Sequence, residues 1–315
     1  MTTMTLNDCL NYLNSNDGYL LVTHIRPDGD TLGSAAALCH ILRRMGKTAY
    51  LYDNPQITGN FAPYVAPYLA PEGFRPACVL TVDLASENLF PEGFSRKGPI
   101  DLCIDHHPSN SGYARRLLCQ PEKASCGEIV LQLAQALGLL DAETATLLYI
   151  AASTDCGCFV YANTTDETHM AAAELIRAGA DYKRVNKRFF RTFSYSRLRL
   201  EGMIYAGLRR YGPGECVTVA TVTMQMLADA GATEDDCEDL ASLAGKVAGS
   251  RVSVTIREIE PRLSKLSLRS GEDFDCSAVC ALHGGGGHKM ASGCMIDASP
   301  DQARDMIVRD ILEAL

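Results

Sequence analysis

The chain has 315 residues, 47% of them apolar and 21% charged, enough for two domains that each enclose a core. A formal charge of −9 argues against a large basic face for long duplex nucleic acid, while a short oligonucleotide needs only a local pocket of Arg, His and metal. No apolar run approaches the ~18 residues of a membrane span, and the first residues lack a basic segment followed by an apolar one, so the expectation is a cytoplasmic protein that does not enter a membrane.

In chain order, residues 19–23 read as a buried strand. Residues 31–45 read as a helix with Ala and Leu on its inner face, stopped by Gly46. A second strand follows at 48–52, then a loop with five prolines and room for one short helix over 54–76, then strands at 77–82 and 100–104. Residues 126–137, 142–153 and 166–178 carry helical spacing. This alternation predicts an α/β fold with a doubly wound, mostly parallel sheet. After Asp181 the character changes. Residues 183–204 read as a helical connector between a first domain over 1–182 and a smaller α/β domain over 205–315. Strands are expected there at 216–222, 251–259 and 263–268, the last two as a hairpin around Pro261-Arg262, with a glycine turn at 282–287 and a terminal helix over 300–315. Thirteen cysteines without C-x-x-C spacing read as small buried thiols rather than a disulfide framework, and Cys156 and Cys158 read so too rather than as zinc ligands.

Acidic and histidine residues cluster where apolar runs end. His24, Asp28 and Asp30 follow the first strand, Asp83 the next buried one, and Asp105-His106-His107 the strand ending at Ile104; Asp155 follows the run 147–154. An acid at the end of a buried strand points into the crevice where open α/β sheets bind ligands. Any one of these residues alone is better read as a helix cap or a turn. Several desolvated acids in one crevice call for cations, and a set rich in carboxylate suits Mn²⁺ or Mg²⁺ better than zinc. Asp83, central in the strand order, is the expected bridge between two ions ~3.5–4 Å apart.

His24-x-x-x-Asp28-x-Asp30, Asp83, Asp105-His106-His107 and Asp155 resemble the four motifs of the DHH phosphoesterases. Residues 284–293, GGGGHKMASG, resemble the signature of the first type of DHH-associated domain, DHHA1. The resemblance covers nearly the whole chain and is nearest to the bacterial nanoRNase group. It implies that His24, Asp28 and Asp83 hold one metal, and that Asp30, Asp83, His106 and Asp155 hold the other. His107 would face the scissile phosphate or its leaving oxygen, with Asp105 orienting the imidazoles from behind. One departure is Asp155-Cys156-Gly157, where family members often carry Asp-Thr-Gly.

Four successive glycines give backbone freedom for an anion-binding nest, and without a following Lys-Ser or Lys-Thr they are not a Walker A loop. Gly285, Gly286, Gly287 and His288, with Arg269 on the preceding strand, are the candidate substrate-binding residues. A plain flexible loop is the competing reading. Arg251, Arg257, His283 and Lys289 are weaker candidates, and His40 and His169 read as structural. The expected protein is a phosphoesterase in which a water bridging two Mn²⁺ ions (Mg²⁺ as the alternative) attacks phosphorus. A cleft between the domains is expected to measure substrates: short oligoribonucleotides, linear dinucleotides such as pApA and pGpG, and 3′-phosphoadenosine 5′-phosphate (pAp). The alternatives are a RecJ-type single-strand exonuclease, whose chains are usually longer, and a non-catalytic nucleotide sensor, which should have lost metal ligands. Short RNAs and nucleotides are the expected partners, and a homodimer is compatible with the sequence.

Overall fold

The computed structural model describes residues 1–95, 98–237 and 239–315. The chain forms two compact units, Met1–Thr192 and Phe193–Leu315. In chain order the first contains β1 (Thr2–Thr3), α1 (Leu6–Ser15), β2 (Tyr19–Val22), α2 (Gly29–Arg44), β3 (Ala49–Leu51) and α3 (Ala62–Val65). These are followed by β4 (Cys78–Val82), β5 (Leu102–Asp105), β6 (Arg116–Cys119), α4 (Cys126–Leu137), α5 (Ala142–Asp155), α6 (Asp166–Arg177) and α7 (Tyr182–Asn186). Its six strands run in the order β1-β6-β5-β4-β2-β3, and every pairing is parallel. Because β3 and β4 lie on opposite sides of β2, the strand order reverses there, which opens a crevice beyond the carboxyl ends of β2 and β4.

Side-chain caps set the helix starts: Thr5, Asp28, Ser125, Asp141 and Thr165 each accept a backbone N–H of the first turn. Helices α2 and α5 pack unusually close. A methyl group on Gly33 would lie 2.5 Å from the Leu147 carbonyl oxygen and 2.9 Å from the Ala151 nitrogen, so only glycine fits that crossing. The close approach carries the end of α5 to the beginning of α2.

The second unit contains α8 (Tyr195–Ala206), β7 (Arg209–Tyr211), β8 (Val217–Val222), α9 (Met224–Ala230), β9 (Val252–Glu260) and β10 (Leu263–Ser270), then α10 (Cys276–Ala281), β11 (Gly286–His288), β12 (Ala291–Ile296) and α11 (Pro300–Ala314). Its sheet is mixed, in the order β11-β12-β10-β9-β8-β7, with only β8 and β9 parallel. Val252, Val254, Ile256, Leu266 and Leu268 share one core with Ile307 and Ile311 of α11. Ala220 and Val222 face the other way, against Leu200 and Ile204 of α8. The division between units falls within residues 183–204: Val185 of α7 joins the first core, whereas α8 packs into the second unit.

Several elements go beyond the sequence-based expectation: β1, α1 and β6 in the first unit, and β7, α9, α10 and β12 in the second. β1 is only two residues long, whereas α1 carries a legible signal that the expectation overlooked: a Thr5–Asp8 capping box, then Leu6, Cys9, Leu10 and Leu13 at helical spacing on the core. β6 is four residues long and opens on Arg116. All thirteen cysteines are free thiols. Among the described residues, no helix is long and apolar enough to cross a membrane.

Candidate metal centre

The crevice beyond β2, β4 and β5 gathers the motif residues. His24 leaves β2 two residues after its end, Asp83 directly follows β4, and Asp105 closes β5 with His106 and His107 behind it. Asp28 caps α2, accepting the N–H groups of Asp30 at 3.1 Å and Thr31 at 3.2 Å. Asp30, in the first turn of α2, accepts the N–H groups of Cys126 at 2.7 Å and Gly127 at 3.0 Å from the start of α4. Asp155 is the last residue of α5, the helix expected over 142–153 with two residues more, so it arrives from a helix end rather than a strand end.

His24 Nε2 lies 3.6 Å from Asp28 Oδ2 and 3.7 Å from Asp83 Oδ2. His106 Nε2 lies 3.3 Å from Asp83 Oδ1, 3.7 Å from Asp30 Oδ2 and 3.9 Å from Asp155 Oδ2. Among the described residues, three sets have ligand atoms within 4.8 Å of one another: His24 with Asp28 and Asp83, Asp30 with His106 and Asp155, and Asp83 with His106 and His107. Asp83 thus turns one oxygen to each side. The second nitrogen of each imidazole is tied down, His24 Nδ1 to the Ile25 carbonyl at 2.8 Å and His106 Nδ1 to the Lys123 carbonyl at 3.1 Å. That leaves Nε2 directed at the carboxylates, the arrangement that fixes a metal-ligating tautomer. His107 is held differently, its Nδ1 donating to Asp105 Oδ1 at 2.8 Å.

Electrostatics and strain both point to a cation. Asp83 adopts φ 57°, and its Oδ1 is buried and accepts no well-aligned hydrogen bond. A buried carboxylate oxygen left unpaired is costly unless a cation meets it. Burial, then the Asp83 charge, pushes Asp30 up to about 7. Burial and the Asp30 charge push Asp155 well above the carboxylate range, and its place at a helix C-terminus adds to this. Burial works against a charged His24, yet Asp28 and Asp83 outweigh it and raise the imidazole to about 9. The acids repel one another and draw protons onto the histidines. Divalent cations would relieve both, so the residues present fit them.

The buried carboxylate of Asp105 accepts the backbone N–H groups of His106 at 2.8 Å and His107 at 3.2 Å, besides the His107 ring. Asn110, which the sequence reading passed over, donates to its other oxygen at 2.6 Å. Cys156 and Cys158 belong to none of the candidate ligand sets among the described residues.

In the second unit the glycine stretch is partly strand: Gly286–His288 form β11 at the sheet edge. Pairing aligns His288 with Ala291 of β12, and Ala291 with Arg269 of β10. Arg269 and His288 therefore share one face of the sheet, two strands or roughly 10 Å apart. Lys265 and Ser267 lie on that face with Arg269, a period-2 pattern that the sequence could have shown. Arg251 pairs with Asp273 and Arg257 with Glu234, while His283 is bound to Asp310 of α11 at 2.7 Å. His40 bonds Asp141 at 3.1 Å and Tyr68 at 3.1 Å, and the His169 ring packs on Phe159.

Comparison with known proteins agrees with this geometry. The N-terminal domain of the DHH family matches residues 19–152, and the DHHA1 domain matches residues 214–315. A Thermus thermophilus protein named bifunctional oligoribonuclease and PAP phosphatase NrnA is 33% identical over 299 residues, 94% of this chain and 89% of that protein. The fold is shared with an exopolyphosphatase-related protein from Bacteroides fragilis at a TM-score of 0.86, with 23% identity and coverage of 98% and 95% of the two chains. It is shared more loosely with exonuclease RecJ bound to manganese, at a TM-score of 0.52, 15% identity and coverage of 100% and 95%. The motif order, both domain matches and the Thermus relative together establish that this chain belongs to the DHH family and carries a DHHA1 domain.

Proposed function

We propose that the chain is a metal-dependent phosphoesterase. It hydrolyses short oligoribonucleotides and linear dinucleotides such as pApA and pGpG to mononucleotides, and pAp to AMP. The observation that carries this reading is the convergence of His24, Asp28, Asp30, Asp83, His106 and Asp155 around a buried Asp83 oxygen that accepts no well-aligned hydrogen bond. Support for the substrate class comes from the name of the Thermus relative. Support for manganese, with magnesium as the alternative, comes from the RecJ structure of the same fold. Two such cations would acidify a water and neutralise charge developing on a phosphoryl group.

The chain's own residues do the rest. His24, Asp28 and Asp83 form one ligand set, and Asp30, Asp83, His106 and Asp155 form the other. Asp105 holds the His107 ring through Nδ1, and the imidazole beside the ligand sets holds a proton for the leaving oxygen. Hydrogen bonds and the His107 charge outweigh burial and hold Asp105 below its usual range, so it stays an acceptor and fixes the imidazole. Residues 1–182 supply this chemistry. Residues 205–315, joined through 183–204, supply Arg269 and the segment Gly285, Gly286, Gly287 and His288 for the substrate's terminal phosphate.

The test is mononucleotide release from labelled RNAs of graded length with Mn²⁺, beside phosphate release from pAp. Rapid loss of dimers to pentamers with slow attack on long strands is the expected result. Processive loss of long strands would move the protein to the RecJ-type exonucleases, and no turnover with Mn²⁺ bound would leave a nucleotide sensor.

A further inference from the structure

Asp83 keeps a left-handed backbone, φ 57°, which a residue with a Cβ adopts only where its surroundings over-determine it. The sheet supplies one restraint, the Asp83 N–H donating to the Ile104 carbonyl of β5 at 2.9 Å. Strand β4 itself ends one residue earlier, at Val82. The carbonyls just before and just after Asp83 are held by other elements.

Two side-chain hydroxyls hold them. Thr31 Oγ1, in the first turn of α2, donates to the Val82 carbonyl at 2.9 Å. Tyr113, between β5 and β6, donates to the Leu84 carbonyl, also at 2.9 Å. Thr31, Val82 and Leu84 are all buried. Asn110 Nδ2 at 3.4 Å and Cys103 Sγ at 3.7 Å also reach the Leu84 oxygen, but the first is long and a thiol is a weak donor. Thr81 Oγ1 lies 2.6 Å from the Tyr113 hydroxyl; because the Tyr113 proton goes to Leu84, Thr81 is the donor of that pair. The Tyr113 ring stands edge-on to Phe90, their centroids 5.7 Å apart, which fixes the direction of its hydroxyl. A single buried hydroxyl on a carbonyl is ordinary packing. Two of them, brought from separate elements to the carbonyls that flank one left-handed residue, form a cradle.

We propose that Thr31 and Tyr113 are positioning residues for the metal centre: their hydroxyls hold the Val82 and Leu84 carbonyls and so keep the Asp83 carboxylate spread between the two ligand sets. This rests on the metal-dependent phosphoesterase reading for the role of Asp83 as the shared ligand. Without the cradle, the Asp83 backbone relaxes towards negative φ. Its carboxylate then leaves the place between His24 Nε2, now 3.7 Å from Oδ2, and His106 Nε2, now 3.3 Å from Oδ1.

The experiment is calorimetric titration of the full chain with Mn²⁺, with thermal unfolding in chelator and turnover of a dinucleotide measured on the same variants. Thr31→Val keeps the shape of the side chain and loses the hydroxyl, whereas Thr31→Ser keeps the hydroxyl and loses a buried methyl. Tyr113→Phe removes a hydroxyl alone. Mn²⁺ affinity is expected to fall roughly 10-fold in Thr31→Val and in Tyr113→Phe, and kcat with it, while Thr31→Ser keeps both. Thr81→Val deletes the other hydroxyl of the buried Thr81–Tyr113 pair but takes no donor from Leu84, so its Mn²⁺ affinity should stay above that of Tyr113→Phe even where the two unfold at the same temperature. Weaker Mn²⁺ binding in Thr31→Ser than in Thr31→Val, or equal affinities in Thr81→Val and Tyr113→Phe, overturns the proposal in favour of packing. Wild-type affinity in both Thr31→Val and Tyr113→Phe overturns it outright. If those two variants lose Mn²⁺ affinity but the wild-type protein cleaves no dinucleotide, the cradle stands and the phosphoesterase reading falls.

Discussion

Asp83 is where the geometry of the centre is least forgiving. Its left-handed backbone turns the carboxylate across the crevice, so one oxygen faces His24 and the other faces His106 and His107. Asp83→Asn is an informative change because Asn tolerates the left-handed region about as well as Asp does. The fold should survive, with an unaltered far-UV spectrum, while calorimetry shows fewer Mn²⁺ bound. Turnover should drop by more than the roughly 10- to 100-fold expected for a residue behind the ligands. Full Mn²⁺ stoichiometry in this variant would remove Asp83 from the bridge. Asn110 is such a residue behind the ligands: without its amide, Asp105 Oδ2 loses the 2.6 Å donor in a buried setting. Asn110→Ala should cost about 1–3 kcal/mol of stability in denaturant titration and slow turnover by about 10- to 100-fold. Normal kcat in a destabilised variant would make its role purely structural. No sequence pattern singles out Asn110, because its importance lies in one contact back to Asp105. The motif acids were legible for the opposite reason, since each terminates an apolar run.

The elements show why some placements were readable and one was not. Parallel strands buried on both faces and well-packed helices both appear as unbroken apolar runs, and period alone does not separate them. Strands β2, β4 and β5 and the helix expected over 142–153, which is α5, stand where the sequence placed them; what was not legible is that Asp155 is the last residue of that helix. The helix origin matters, because the position of Asp155 then depends on how α5 packs against α2. Gly33 sets that distance. Gly33→Ala puts a methyl 2.5 Å from the Leu147 carbonyl oxygen, which neither backbone can yield without separating the helices. The expected cost is about 1–3 kcal/mol in denaturant-induced unfolding. A specific consequence accompanies it: Asp155 moves away from Asp30 and His106, so Mn²⁺ affinity falls further than in a variant of equal instability made in the second unit. Equal affinities in the two would show that α2 and α5 do not govern the centre. The Arg269 and His288 alignment was half legible, since both residues stand out in the sequence but only the β12 register puts them in one row.

For the whole molecule, the crowded centre makes stability depend on pH and metal in opposite senses. The folded pKa of His24, about 9, lies above its ordinary 6.5, so the stabilisation from its proton is complete below about pH 6.5 and disappears as pH rises through 9. Asp30 titrates near 7 in the folded chain against an ordinary 3.8, so folding also weakens as pH climbs from 3.8 to 7 and its carboxyl is forced to ionise beside Asp83. The groups held low, Asp28 and Asp141 at about 2, act only below the ordinary carboxylate value and do not compensate in this window. Metal-free protein should therefore lose thermal stability steadily from about pH 5 to pH 9. A cation displaces the same protons and binds better as they leave, so the rise in Tm caused by Mn²⁺ should grow over that interval. Thermal unfolding with chelator and with saturating Mn²⁺, scanned across pH, reads both slopes at once. A chelated protein of constant Tm, or a Mn²⁺ increment that shrinks with pH, would mean that these acids and histidines do not share their charge through a bound cation.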